Sequence, residues 1–380
     1  MYINKQLHLK FKSIGCTVVV LTGALLLGTA SQQANASSNS TFREIMDRHY
    51  RNSNFYMGGT SGWKKESRTS GLLDKEFNYI TPENDFKQAI VHPRPGVWDW
   101  ENADAWIASA AEHGQIVRLH GPISPQVSQW TKHDSRTAEE LEQNLTEFMT
   151  ALCKRYNDSP QVRWMDVVNE TLQSGNGKWF GAKPGVDSWE NPWVLLGYDT
   201  SVPLSPPIYI KRAFEIANTH APNLKFIINQ HGSLKPRTWF KVFELVDYLR
   251  AQGLRVDGIG WQAHVDVGWE NKDNNLFRLG ALIERAHEKN LSFHITEKNV
   301  WLRGANKDYE AQAKTFAALL EELLKHRKSG VVTWNVWNLS DADSWEKMRA
   351  FDGCIFDRNY EKKPAYHALQ RVLLEAVDAY

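Results

Sequence analysis

Eight short apolar runs, each followed by a helix-like stretch, organise the chain from residue 55 onward. The runs cover residues 55–58, 77–80, 116–119, 162–168, 224–228, 256–261, 291–295 and 331–337. Runs of this length bounded by polar or turn residues read as buried strands, and the longer amphipathic stretches between them read as helices. The helical stretches include 103–113, 137–156, 207–220, 236–252, 275–289 and 308–326, with 364–379 after the last strand. Thr137 and Glu140 have the spacing of a capping box. Eight strand–helix units in a single stretch of about 340 residues predict an α/β fold, a (β/α)8 TIM barrel. The rival, a doubly wound open sheet, would place a glycine-rich turn and helix start after the first strand. Gly58-Gly59-Thr60-Ser61-Gly62 lacks that helix start.

The first 36 residues read differently. Lys5, Lys10 and Lys12 precede an uncharged stretch, 13–30, whose apolar centre is 18–27, and Ala34-Asn35-Ala36 follows. This is the pattern of a secretory signal peptide cleaved near Ala36. The apolar centre is too short to span a bilayer. The expectation is a leader at 1–36, a single catalytic domain at 37–380, a secreted or periplasmic location, and no membrane attachment after cleavage. The 45 basic and 44 acidic side chains leave almost no net charge. That excludes a polybasic nucleic-acid or membrane binder. Beyond the leader only Cys153 and Cys354 remain, either paired or as two buried thiols. Sixteen tryptophans suit an aromatic core or a surface for stacking on flat apolar faces.

Active sites of such barrels sit at the C-terminal ends of the strands. Polar groups collect there: Glu83, Asn84 and Lys87 after the second strand, and His120 after the third. Asn169 and Glu170 follow the fourth, Asn229 the fifth, Gln262 and His264 the sixth, Glu297 the seventh, and Trp337, Asp341 and Trp345 the eighth. Asn169-Glu170 taken alone suits a loop or helix cap better than a catalytic site; the recurrence at one end of the strands is the stronger signal. Carboxylates on strands across a barrel suit glycoside hydrolysis, which needs one group to protonate the leaving oxygen and another at the anomeric carbon. Amides and imidazoles bind hydroxyls, and indoles stack on pyranose faces. Metal-dependent hydrolysis would need more clustered histidines. His294, three residues from Glu297, is expected to face away from it as a core or helix-facing residue. No P-loop or nucleophile elbow is present. No metal or cofactor is expected, and the partner implied is a polysaccharide or oligosaccharide substrate.

Several segments carry a resemblance. Thr81-Pro82-Glu83-Asn84-Asp85-Phe86-Lys87, Trp164 to Glu170, Asp257 to His264, Ile295-Thr296-Glu297, Trp337 to Trp345, and Phe356 to Tyr366 resemble the ordered motifs of glycoside hydrolase family 10, the (β/α)8 family of retaining endo-β-1,4-xylanases. The resemblance implies Glu170 as acid/base and Glu297 as nucleophile, with His264 holding the latter ionised. It implies Asn169 at the 2-hydroxyl of the cleaved sugar, and Glu83, Asn84 and Lys87 on the next glycone sugar. Gln262 would bind near the nucleophile, His120 in the glycone pocket, and Trp337 and Trp345 would wall the cleft. Retention calls for carboxylates about 5–5.5 Å apart, and the acid for a raised pKa.

The chain also departs from the family pattern. Where a Trp-His pair usually follows the third strand, Ser124-Pro125 stands. Gln88 replaces a common Trp, Lys298-Asn299 a Leu-Asp-type pair, and Asn338 a Gly. Gln126 and Gln88 are the polar candidates for the missing imidazole's place. Three readings follow: an endo-xylanase, the same chemistry on another or decorated β-glycan, and a non-catalytic glycan-binding barrel. Residues 171–206, with Trp179, Trp189, Trp193 and Tyr198, read either as a loop packed on its own aromatics or as an extended subsite wall.

Overall fold

Apolar strands with both faces covered are the mark of a parallel sheet, and every strand pairing in the computed structural model is parallel. The structure describes residues 40–63, 69, 71–133, 136–181, 191–304 and 306–379; the 1–36 leader and Trp189 lie outside them. The strands are β1 (Phe55–Ser61), β2 (Tyr79–Pro82), β3 (Ile116–Leu119), β4 (Val162–Asn169), β5 (Lys225–Gln230), β6 (Gly258–Trp261), β7 (His264–Asp266), β8 (Ser292–Trp301) and β9 (Val332–Val336). Strands β1 to β6 pair in sequence; β6 pairs with β8, β8 with β9, and β9 with β1, closing an eight-stranded barrel. Strand β7 lies outside that ring and pairs only with the C-terminal part of β8. That extra pairing carries β8 six residues past its expected end. The second strand also starts later than expected, at Tyr79, because Phe77 ends the short helix Leu72–Glu76 and packs in the core.

Seven long helices surround the ring: α1 (Glu101–Glu112), α2 (Ala138–Tyr156), α3 (Ile208–His220), α4 (Pro236–Ala251), α5 (Asn275–Glu288), α6 (Tyr309–Lys325) and α7 (Pro364–Ala379). Each of the helices α1 to α6 buries one stripe. On α6 the buried residues Phe316, Leu319, Leu320, Leu323 and Leu324 recur at helical spacing. The Thr137–Glu140 capping box starts α2, with both reciprocal bonds formed at 2.9 and 3.2 Å. Among the described residues no helix is long and apolar enough to cross a membrane. Cys153 and Cys354 are both buried, and no disulfide joins them.

The barrel lumen is polar above an aromatic floor. Tyr79, Trp164 and Ile227 form the floor, and the His294 ring meets Trp164 edge-on at 5.4 Å. Above it Arg118 pairs with Asp166, both fully buried. Arg118 also donates to the Tyr79 hydroxyl at 2.9 Å and to the Thr296 carbonyl at 2.8 Å. Breaking such a buried pair costs about 3–5 kcal/mol. Gly58 is part of β1, not of a phosphate-binding turn: a Cβ there would lie 2.5 Å from the Tyr79 carbonyl.

Beyond a register shift near the start of the β3–β4 pairing, two more lie toward the strand ends and set which side chains face the lumen there. In β4 the pairing slips between Asp166 and Val168; in β8 it slips between Ile295 and Lys298. An extra residue reverses the inward–outward alternation beyond it. His294 therefore does not point away from Glu297. Both face the lumen, His294 at the floor and Glu297 at the mouth, while Lys298 turns outward toward Phe316 on α6. His294 is a core residue as expected, but on the same side as Glu297.

Candidate active site

The strand ends open on one cleft of about 580 Å³, and all eleven site residues expected from the sequence line it. Glu170 directly follows β4 and Glu297 lies in β8, across the ring. A chain of amides joins them. Asn229, at the end of β5, donates Nδ2 to Glu297 Oε1 at 2.8 Å and to Asn169 Oδ1 at 2.9 Å. Gln262 donates to the same Asn169 oxygen at 3.3 Å and to Glu170 Oε1 at 2.8 Å. Asn229 is itself fixed by the Thr296 hydroxyl, which donates to its Oδ1 at 2.7 Å. These bonds leave the Nδ2 of Asn169 free to donate into the cleft.

Glu297 is surrounded by donors with fixed orientations. His264 Nε2 lies 3.3 Å from Oε2, and the other ring nitrogen faces Asn299 Oδ1 at 3.1 Å. Asn299, the amide found where the family pattern has an acid, faces that nitrogen and so fixes the orientation of the ring. It donates in turn to the Trp337 carbonyl at 2.8 Å. His120 Nε2 lies 3.7 Å from Oε1, with Nδ1 held by Asp166 at 2.8 Å. Burial alone would raise the Glu297 pKa; His120, His264 and Arg118 outweigh it and hold the carboxyl at about 2.

Glu170 has other surroundings. Its backbone is left-handed, φ 59°. Its Oε2 lies 3.3 Å from Nδ1 of His231, a residue the sequence reading did not single out. Burial and the charge of Glu297 push its pKa up, but His231 and Gln262 outweigh them and lower it. The raised acid expected from the sequence is thus not what the resting site holds. His231 moves the other way: burial lowers it, and the Glu170 carboxylate more than compensates.

On the other side of the cleft, Lys87 donates to Asn84 Oδ1 at 2.9 Å and also to Gln126 Oε1. Pro125 and Gln126 line the wall here. Gln88 does not. It is fully buried and spends both ends of its amide on His92, Ser128 and Asn144. Lys87 is the N-cap of the short helix Gln88–Val91, so adjacent side chains diverge. The expected candidate for the missing imidazole's place reduces to Gln126.

His264 stacks on Trp301 at 5.3 Å and meets Trp345 edge-on at 5.2 Å. Trp337 meets His120 at 5.0 Å. Asp341 is outside the cleft, paired with Lys363 at 2.9 Å. Asn338 adopts φ 59°, a conformation its glycine counterpart takes freely and Asn tolerates. In the 171–206 segment Trp193 is fully buried against the Ser124 carbonyl and Trp179 sits under Lys241. Neither they nor Tyr198 lines the cleft; Phe180 does. The packed-loop reading fits Trp193 and Trp179, while Tyr198 is exposed. Phe180, His231, Gln126, Glu346 and Lys347 are lining residues that no strand-end pattern singled out.

An endo-1,4-beta-xylanase A of Halalkalibacterium halodurans is 27% identical over 344 residues, covering 80% of each chain. An exoglucanase of Acetivibrio thermocellus is 27% identical over 318 residues, which span 78% of this chain but only 26% of that protein. The xylanase 10B of Thermotoga petrophila RKU-1, solved in complex with xylobiose, superposes with a TM-score of 0.75 at 25% identity over 90% of this chain and 99% of that one. Residues 44–372 match the sequence pattern of glycosyl hydrolase family 10. Because that segment runs from ahead of β1 into α7 and so takes in the whole barrel, the chain belongs to glycosyl hydrolase family 10 and is a glycoside hydrolase.

Proposed function

We propose that the protein is a secreted retaining endo-β-1,4-xylanase that works by double displacement, with Glu297 as nucleophile and Glu170 as acid/base. One observation carries this reading: two buried carboxylates share a cleft, one held ionised at about 2 and the other 3.3 Å from an imidazole nitrogen of His231. In the first half, Glu297 attacks the anomeric carbon as Glu170 protonates the leaving oxygen. In the second, a water attacks the glycosyl-enzyme while Glu170 takes its proton. The free Nδ2 of Asn169 suits the 2-hydroxyl of the cleaved sugar. Glu83, Asn84 and Lys87 would bind the next glycone sugar, and Trp337 and Trp345 would wall the chain. The leader pattern at 1–36 supports secretion. The test is release of reducing ends from β-1,4-xylan, with proton NMR of the fresh product. The β-anomer must appear first; an α-anomer first would mean inversion and would reject the nucleophile assignment.

A second reading, the same chemistry on a decorated β-glycan, rests on Pro125 and Gln126, which stand beside Lys87 where a sugar-binding imidazole is expected. A hydroxyl left without its bond costs about 1–3 kcal/mol, or roughly 5- to 150-fold in rate. Specificity constants on linear xylan, arabinoxylan, glucuronoxylan and an aryl cellobioside decide between the two. Higher values on a decorated polymer support the second reading, and a dominant preference for linear xylan rejects it.

A further inference from the structure

His231 belongs to no strand-end motif, yet its position is fixed on both sides. Gln230 before it donates to the Leu172 carbonyl at 2.9 Å and accepts from the Leu172 amide at 3.1 Å. The Gly232 carbonyl after it accepts from the Trp261 indole at 2.8 Å. The imidazole is thereby held with Nδ1 3.3 Å from Glu170 Oε2, and Phe180 covers it edge-on at 6.2 Å. The two oxygens of Glu170 are unequal. Oε1 is taken by Gln262, whereas among the described residues Oε2 accepts no hydrogen bond and has His231 Nδ1 beside it. The His231 side chain is 19% exposed, while its Nε2 is buried without a hydrogen-bond partner among the described residues. The charged groups acting on it are Glu170 and, farther off, Glu297. Lys87 senses both carboxylates from the opposite wall, and His120 and His264 are directed at Glu297.

We propose that Glu170 and His231 hold one proton between them, with His231 as a positioning residue that keeps it on Nδ1 at rest and yields it to Oε2 for catalysis. This rests on Glu170 being the acid/base. The cycle balances. The proton moves from Nδ1 to Oε2 and then to the glycosidic oxygen as the bond from that oxygen to C1 breaks and the Glu297–C1 bond forms. The pair is then empty, with a carboxylate and a neutral imidazole. Water attacks C1, its proton goes to Oε2, the Glu297–C1 bond breaks, and the pair again holds one proton. This accounts for an acid whose own pKa is lowered at rest, because the proton it delivers is stored one atom away.

The sign of the pH effect follows. The basic limb of activity reports loss of the pair's only proton, and two sites holding it bind it more tightly than one. His231→Asn keeps a donor that cannot titrate. The basic limb of kcat/KM on an unactivated xylo-oligosaccharide is expected to move down by at least about one pH unit, the usual reach of a charge partner at this distance. On an activated aryl xylobioside, whose first step needs no proton, the limb should not move. A merely structural role would lower both rates without displacing either limb. Superposable limbs in wild type and His231→Asn would overturn the proposal. If that variant does not fold, NMR titration of His231 in the wild-type protein and in Glu170→Gln serves instead. An imidazole titrating above its ordinary 6.5 and falling in Glu170→Gln supports the pair; one that ignores the Gln replacement rejects it. Glu170→Ala with azide separates the two levels. No glycosyl azide would reject the acid/base reading itself, whereas azide product with an unmoved limb would reject only the role of His231.

Discussion

The two carboxylates face each other across one cleft, in opposite kinds of surroundings. Glu297 is enclosed by donors that are each held from behind: His264 by Asn299, His120 by Asp166, and Asn229 by Thr296. Glu170 has one fixed donor, Gln262, and one partly buried titratable neighbour, His231. Depth does not separate them, since both are buried. What differs is whether the neighbours are locked or able to exchange a proton. On the proposed mechanism the nucleophile must be ionised when it attacks and so gains from locked donors, whereas the acid/base must give up a proton and regain one and so gains from a partner that titrates.

The largest expected effect tests the locked side. Glu297→Ala should cut turnover of every substrate, activated or not, by at least about 10⁴-fold, because no covalent intermediate can form. Retained activity in a purified, folded variant would remove the contrast altogether. Glu170→Ala comes next, and its effect should depend on the leaving group. Unactivated oligosaccharides should slow by about 10²–10⁴-fold. The first step on a dinitrophenyl glycoside should survive, and azide should yield a β-glycosyl azide. Equal losses on both substrates would mean Glu170 does not donate the proton.

A smaller effect sharpens the account of the locked side. His120→Asn removes the largest cationic influence on Glu297. The carboxyl pKa then rises from about 2, and the acid limb of kcat/KM should move up by about one pH unit. An unmoved limb would leave His264 and Arg118 as the groups that matter. Smallest is Lys298→Met. Lys298 sits next to Glu297 in sequence but is buried outside the lumen, its Nζ donating to the Ala263 carbonyl at 3.1 Å, and burial lowers its pKa well below the ordinary value. The unfolded chain therefore binds a proton that the native state does not, so this residue makes wild-type stability rise with pH toward the unfolded value near 10.5. Relative to wild type, the Met variant should be most favoured at low pH and lose that advantage as pH climbs. The span should not exceed about 3 kcal/mol by chemical denaturation. Its acid limb should stay where it is; a shift like that of His120→Asn would show that Lys298 acts on Glu297 after all.

Much of this site is legible in the sequence because it obeys a simple rule: the residue that ends a buried run in an eight-unit barrel points at the cleft. Glu83, His120, Asn169 and Gln262 all follow it. Register is not legible in the same way. The alternation that set His294 against Glu297 holds only for a regular strand, and the extra residue in β8 leaves no mark in composition. Gln88 was misplaced for a related reason, since a single helical step after Lys87 sends it into the core. His231 and Gln126 come from irregular segments where neither periodicity applies. Only the contacts of their neighbours, Gln230 with Leu172 and Lys87 with Asn84, fix where they point.

Glu170 occupies a left-handed backbone conformation, as does Ala263. For a residue with a Cβ this conformation costs on the order of 1 kcal/mol or more, which glycine avoids. Anyone evolving this enzyme for heat resistance therefore works against its chemistry. Glu170→Gly would relax the backbone, so a screen that ranks clones by melting temperature alone would promote an inactive barrel. Ala263→Gly relaxes the same kind of strain without replacing either carboxylate, and is where a thermostabilised, working variant should be sought.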